Sequence, residues 1–405
     1  MSVAVRRTCV NRPARGTQSC GRPGLQKFCL VASAVLVLCA VVAATGCTGS
    51  KSARTTTTAR ATATTARATT TTLSLEQTLA RRDQSYRPLK GLYLTIYSAA
   101  NPTKLNSLLK IADQTEINAF VIDVKDNSGY VLYDSGAPLA KSLGLVKPQI
   151  KHIDSLIATL VQHDITPIAR IVCFQDSPLA KKRPDLAIKS KKTGGNWLDP
   201  KKAMYTNPYS HEVWEYLVEV AEDAAKHGFR EIQFDYVRFP SGNVADTVYP
   251  GANSSKEDAI TGFLAFARAR LEKLGVWVSA DVFGVILQVK NDAGIGQRVE
   301  KLAANVDLVC PMIYPSHYSK GNYGFANPNA NPYGLISGAV KDMKTRLAGT
   351  GARGLPWLQD FTLGSPAYGV AQVKAEIKAV KDQGINEWIL WNASNKYTVA
   401  ALGPN

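Results

Sequence analysis

From Lys90 to the C-terminus, short apolar runs rich in β-branched residues alternate with longer stretches whose apolar residues recur every three or four positions. The short runs are GLYLTIY from residue 91, AFVIDV from 119, TPIARIVCF from 166, EIQFDYV from 231, VWVSADVFG from 276, DLVCPMIY from 307, LPWLQDF from 355 and EWILWNA from 387. Their length and composition predict buried strands. PTKLNSLLKIADQT, IKHIDSLIATLVQH, SHEVWEYLVEVAEDAAKH, EDAITGFLAFARARLEKL and GVAQVKAEIKAVKDQG have helical spacing, and Gly228 stands where a helix would terminate. Strand–helix alternation calls for parallel pairing. Eight such units over residues 86–405 predict an α/β fold of the (β/α)8 TIM-barrel class. An open doubly wound sheet is the runner-up, but no glycine-rich phosphate loop follows the first strand.

In such a barrel the functional loops follow the carboxyl ends of the strands. Asp123 ends the second strand, Asp235 the fourth, Asp281 the fifth and Asp360 the seventh. Within QFDYVRFP, residues 233–240, alternation puts Gln233 and Asp235 on one face and Ile232, Phe234 and Tyr236 on the other. The apolar set belongs against the helices, so Asp235 points to the mouth. Glu231 and Glu387 start their strands, so a carboxylate pair at the mouth must be made of aspartates. Arg238 and Lys125 are the cations expected to keep Asp235 ionised, because a nearby positive charge lowers a carboxylate pKa. Asp281, flanked by Trp277 and Phe283, has the apolar setting that keeps a carboxyl protonated near neutrality, as a general acid requires. Asp123 and Asp360 are reserves. The plainer alternative for all four is helix capping, or ion pairing with Arg170 and Arg238.

KGLYLTIYSA, INAFVIDVKDNSGYVLYDS, PIARIVCFQD, NPYSHEVWEYLVEVAEDAAKHGFREIQFDYVRFP and VSADVFG together resemble the bacterial putative glycoside hydrolase domain family, within the wider superfamily of TIM-barrel glycosidases. The resemblance runs from about Lys90 to the C-terminus, and FDYVRFP is its most specific piece. It implies a cell-surface hydrolase of glycosidic bonds in a polysaccharide or glycan. Such layouts place the nucleophile or stabilising carboxylate after the fourth strand, which assigns that role to Asp235 and leaves the proton donor to Asp281. Sugars also need flat apolar faces, and Tyr97, Trp197, Tyr314, Tyr318, Tyr323 and Trp391 fall at strand ends or in the following loops. Trp197, in the turn-rich loop KSKKTGGNWLDPKKAMYTNP, is the foremost of these. Asp123, Lys125, Arg170, Gln233, Arg238 and Asp360 complete the expected substrate-binding set. The alternative from another class is a non-catalytic glycan-binding or envelope scaffold protein.

No cofactor is expected, and a metal site is not indicated. His152, His163, His211 and His227 belong to helical patterns, and only His317 follows a strand. Charge narrows the partners further. Residues 1–72 hold ten of the 48 Lys and Arg and none of the 32 Asp and Glu, so the net +16 falls to +6 for the remainder. That excess reads as spread along the chain without a basic cluster, which argues against nucleic acid.

Residues 1–47 read as a signal peptide: a basic leader, the apolar run FCLVASAVLVLCAVVAATGC, and small residues before Cys47 that resemble a bacterial lipobox, with Ala44 where leucine is preferred. An uncleaved membrane anchor and plain secretion remain the alternatives, and each puts the domain outside the cytoplasm. Residues 48–85 read as a disordered linker, because SARTTTTARATATTARATTTT, residues 52–72, has almost no large apolar side chain. Four of seven cysteines lie in residues 1–39, Cys47 is the expected lipidation site, and Cys173 and Cys310 sit in strand patterns as free thiols. If the lipobox reading holds, Cys47→Ala abolishes lipid attachment and alters membrane release. Globomycin, an inhibitor of lipoprotein signal cleavage, then leaves the precursor unprocessed; processing that ignores the drug assigns the segment to an uncleaved anchor instead.

Overall fold

Alternation along eight strands divides the apolar side chains between two cores. A computed structural model describes residues 73–405; the expected signal peptide, Cys47 and linker residues 48–72 lie outside the described residues. The strands are β1 (Lys90–Leu94), β2 (Ala119–Lys125), β3 (Thr166–Val172), β4 (Glu231–Asp235), β5 (Trp277–Phe283), β6 (Leu308–Met312), β7 (Trp357–Gln359) and β8 (Trp388–Trp391). They pair in parallel in chain order, and β1 also pairs with β8, closing the ring. This is the (β/α)8 barrel. Phe120, Ile122 and Val124 of β2, Ile232 and Phe234 of β4, and Val278, Ala280 and Val282 of β5 face the helices. Ala119, Val121, Ile168, Leu308, Cys310, Trp357 and Ile389 fill the ring. The next inward positions toward the carboxyl ends are Asp123, Arg170, Asp235 and Asp281, so the register that builds the core also delivers charge to the mouth.

The surrounding helices are α1 (Leu75–Gln84), α2 (Pro102–Gln114), α3 (Ile153–Gln162), α4 (His211–Lys226), α5 (Lys256–Leu271), α6 (Val299–Ala303), α7 (Pro332–Leu347) and α8 (Val370–Asp382). In α4 the Ser210 side chain accepts from the Val213 N–H, and Val213, Leu217, Val220, Ala221 and Ala224 form its buried stripe. Gly228 follows with φ of +101°, the left-handed stop that a side chain would strain. Truncating Leu217 to alanine would remove about 2–5 kcal/mol. Two inserts crown the carboxyl-terminal side. One, between β3 and α4, pairs Lys189–Ser190 with Thr247–Val248 of the loop that follows β4. The other, after β2, pairs Val131–Tyr133 with β2 and with Val146–Ile150.

The expected linker over 48–85 is corrected at its end, where Leu75–Gln84 is helical. α1 buries none of its residues, so no apolar stripe could announce it. A polar hook holds it instead. The Arg82 guanidinium lies 4.0 Å from the Trp277 ring centroid and 3.2 Å from Asp307, and it donates to the Val276 carbonyl. Trp277, expected beside Asp281, is thereby placed at the opposite end of β5, on the barrel floor. Tyr86 donates to Glu387 there, and Arg353 covers the Tyr86 ring at 3.4 Å.

Glu231 begins β4 on this floor, almost wholly buried, with Ser279 donating to one carboxyl oxygen and no partner on the other. Burial pushes its carboxyl up to about 7 from 4.5. At low pH it is protonated whether folded or not; as pH rises, the unfolded chain releases its proton first, so stability falls through the neutral range. The loss reaches about 3 kcal/mol by pH 8. Urea midpoints measured from pH 5 to 8 will decline in the native protein and decline less in Glu231→Gln. Parallel slopes would show that Glu231 does not carry the effect.

Candidate active site

Four adjacent strands each contribute one charged residue to the mouth, and Arg170 of β3 holds the other three together. Its Nη1 donates to Asp123 of β2, and its Nε and Nη2 donate to one oxygen of Asp235 of β4, with Nε at 3.0 Å. Asp281 of β5 lies 3.9 Å from Nε. All four are nearly inaccessible. Burial works against the guanidinium charge, but Asp123, Asp235 and Asp281 outweigh it and hold the group charged more firmly than usual. Burial raises the Asp281 carboxyl well above the ordinary range, and the Asp235 charge raises it further against the pull of Arg170. The Asp123 carboxyl is also raised by burial, with Arg170 and the Tyr93 hydroxyl opposing. Asp281 accepts from the Trp357 indole N–H at 2.7 Å, which fixes its orientation.

Asp235 accepts on its second oxygen from the N–H of Tyr236, and Tyr236 has φ of +50°. Left-handed backbone is costly for a tyrosine and persists only where the surroundings enforce it. Here it breaks the alternation. Tyr236 was expected against the helices with Ile232 and Phe234; instead its ring lines the mouth and receives a bond from the Asn127 amide. Arg238 follows, held between the Tyr236 and Phe283 rings at 4.9 and 4.5 Å.

These groups border a cavity of about 410 Å³, in the range of small-molecule sites. Its walls include Tyr93, Tyr314, His317, Trp357 and Trp391, and Tyr93 stacks on Trp391 with centroids 3.9 Å apart. A mainly apolar extension runs past Phe283 and Met312 to Val285 and Tyr318. Gly284 permits this corner: a Cβ there would meet the Met312 carbonyl oxygen at 2.5 Å.

Of the residues expected from sequence, Asp123, Arg170, Asp235, Arg238, Asp281, Tyr314 and Trp391 meet at the cavity. Lys125 does not. It is fully buried in an ion pair with Asp176, 2.9 Å away, and its ammonium also donates to the Val172 carbonyl, so Arg170 takes the role foreseen for it. Gln233 lies one inward layer below, donating to the Cys310 sulfur. Asp360 accepts from the N–H and hydroxyl of Thr398 and clasps the C-terminal segment. Trp197 is buried with Ile188 and Tyr205 in the core of the first insert, away from the mouth. Tyr97 is 53% exposed outside the cavity, and Tyr323 is bonded to Asp342 of α7. Tyr93 and Trp357 were missed, although both occupy inward positions that alternation on β1 and β7 identifies.

Residues 91–397 match the model of a family described as putative glycosyl hydrolase domain. Among solved structures, a hypothetical protein from Ruminiclostridium thermocellum is 40% identical over 47% of this chain and 97% of its own, with a TM-score of 0.44. The PgaB (BpsB) glycoside hydrolase domain from Bordetella bronchiseptica is 12% identical over 76% of this chain and 95% of its own, with a TM-score of 0.57; this likeness shows the fold. The spore cortex-lytic enzyme SleL from Bacillus cereus is 12% identical over 78% and 73%, with a TM-score of 0.47. No curated protein matches the chain.

Removing the guanidinium strands three buried acids. Arg170→Met will lower stability by about 3–5 kcal/mol at pH 7, the usual result of breaking a buried ion pair from one side. The loss will shrink toward pH 4, where the acids can take up protons, and urea unfolding at both pH values measures it. A loss independent of pH would mean that packing, not charge, explains it.

Proposed function

The chain belongs to the putative glycosyl hydrolase domain family, and we propose that it hydrolyses glycosidic bonds within a glycan, with Asp281 as proton donor and Asp235 as the carboxylate facing the reacting carbon. The observation that carries this reading is the contrast between two acids on neighbouring strands. Asp281 is buried against Trp357 with its carboxyl driven toward the neutral form, whereas both oxygens of Asp235 receive hydrogen bonds, from Arg170 and from the Tyr236 N–H. Two carboxyl groups in different environments are what acid-assisted glycoside cleavage requires. The proton of Asp281 passes to the departing glycosidic oxygen as its bond to the anomeric carbon breaks. Positive charge then develops on the sugar ring opposite Asp235; water adds its hydroxyl to the anomeric carbon as the new reducing end, and its remaining proton restores the acid form of Asp281. Arg170 and the Tyr236 N–H occupy the oxygens of Asp235, which favours a fixed stabilising anion over a free nucleophile.

The aromatic walls support the same reading, because Tyr93, Trp391 and Tyr314 offer apolar faces of the kind on which sugar rings stack. The PgaB glycoside hydrolase domain, which shares the fold, adds support. We read the N-terminal leader as an export signal, so the glycan is one met outside the cytoplasm, at the envelope if Cys47 is lipidated.

A panel of bacterial and plant polysaccharides offered to the domain tests turnover directly. Asp235→Asn will remove nearly all activity while leaving binding largely intact. Asp281→Asn will cost roughly 10²- to 10⁴-fold on natural linkages and far less on activated aryl glycosides, whose leaving groups scarcely need a proton. The native kcat/KM will fall as rising pH strips the proton from Asp281, and Asp281→Asn will lose that limb. If Asp281→Asn slows activated and natural substrates equally, Asp281 is not the donor. Binding without turnover across the panel would instead assign the chain to non-catalytic glycan recognition.

A further inference from the structure

We propose that the glycan is acidic and that Arg238 reads its anionic group at the mouth. The proposal rests on the hydrolase reading of this cavity and adds a substrate class to it. Arg170 and Arg238 both line the cavity, but only Arg170 is engaged by carboxylates. Arg238 is 7% exposed, and among the described residues it makes no ion pair; its guanidinium donates to the Phe239 carbonyl oxygen, at 3.0 Å, with the Tyr205 side chain nearby. A guanidinium this deeply placed without a counter-charge is costly, and the Tyr236 and Phe283 rings hold its plane in one orientation. Its planar fork suits two oxygens of one carboxylate or phosphate. The cavity's other acids do not supply them. Asp123 and Asp235 are taken by Arg170, Asp281 lies beside Arg170 and accepts from the Trp357 indole, and Asp126 closes its own turn onto Ser128.

A second observation lies beside the first. The insert at residues 177–206 carries eight Lys and Arg against two Asp, a net +6, equal to the net charge of all residues from 73 onward. The excess that looked dispersed along the sequence is therefore concentrated in one insert, split between turns that the fold brings together. Its own acids are partly committed, Asp185 to Arg183, and Asp246 of the facing loop accepts from Ser190 and the Lys192 N–H. Between insert and loop runs a groove of about 440 Å³, lined by Lys191 and Lys192 and also by Asp246 and Asp199, the latter accepting from the Lys201 and Ala203 N–H groups. Tyr205, from the same insert, reaches Arg238. An acidic chain seated at the mouth thus has a cationic surface alongside it. Uronate carboxylates and backbone phosphodiesters present the same chemistry.

Affinity electrophoresis of the full chain separates the sources without needing turnover. One arm compares polygalacturonate with its methyl ester, and the other a glycerol-phosphate-substituted glycan with its dephosphorylated backbone. At least one acidic polymer will be held about tenfold more tightly than its neutral partner, the worth of one charge-assisted contact, and added salt will weaken it. Arg238→Gln will bring that ratio close to one. Lys191→Ser combined with Lys192→Ser, both on the surface, will reduce the ratio and its salt dependence even if Arg238→Gln does not fold. Retention of no acidic polymer in either arm, or a ratio unchanged in the lysine variant, overturns the proposal. Turnover of neutral glycans alone would sink the acidic assignment and leave the hydrolase intact; acidic binding with no turnover would do the reverse.

Discussion

Arg170 is the only cation within ion-pair distance of Asp123, Asp235 and Asp281 among the described residues, and all four side chains are shut away from bulk water. One positive charge cannot balance three negative ones at this depth, where desolvation penalises every uncompensated ion. The strain shows most at Asp281, which lies 3.9 Å from the guanidinium; burial and the Asp235 charge raise its carboxyl well above the ordinary range. That shift is thus a consequence of charge balance rather than of any one contact. Neighbouring features depend on this balance. Trp357 orients the acid, and the turn at Tyr236 directs a backbone N–H to Asp235.

The same strands make a different compromise at their other ends. β4 carries Glu231, Gln233 and Asp235 on successive inward positions, so a single strand crosses from floor to mouth with polar groups at each level. On the floor the carboxyl meets a serine and an empty side; at the mouth it meets a guanidinium and a backbone donor. Identical chemistry is tuned by what the adjacent strands place opposite it. Lys125 shows the same economy, since its pairing with Asp176 ties β2 to the first insert and leaves the mouth to Arg170.

All eight barrel strands were legible in the sequence because parallel strands buried on both faces read as unbroken β-branched runs. Asp235 and Asp281 were legible because they end such runs. The partners were not. Strict alternation puts both Arg170 and Lys125 inward, but an irregularity after Asp123 sets Lys125 opposite the outward-facing Ile171, so only Arg170 meets Asp235. Trp357 was missed, and Trp277 misplaced, for a related reason: sequence proximity to Asp281 put Trp277 beside it, whereas Trp357, an inward residue two strands away, is the one that donates to it. Tyr236 escaped because alternation assumes extended backbone, and its left-handed φ violates that assumption. Trp197 misled because the insert is large enough to have a small core of its own, with Ile188 and Tyr205. α1 left no apolar pattern at all, being held by Arg82.

The ring closes through β1, which pairs with β2 on one side and β8 on the other, and Thr95 bonds to Asn395 across 300 positions of chain. Further along the C-terminal segment, at the opposite end of β1, Gly403 donates to Glu116, which pairs with Lys90. Contacts of this separation form late, because loop-closure entropy must be met before they contribute. The edges of β1 and β8 therefore stay unpaired until the last strand has been supplied. A partially synthesised chain has no native barrel to form, because its first strand lacks one of its two partners. It also leaves apolar strand edges exposed to other chains for that interval. Completion of the final strand is thus the event that converts an aggregation-prone ribbon into a closed surface.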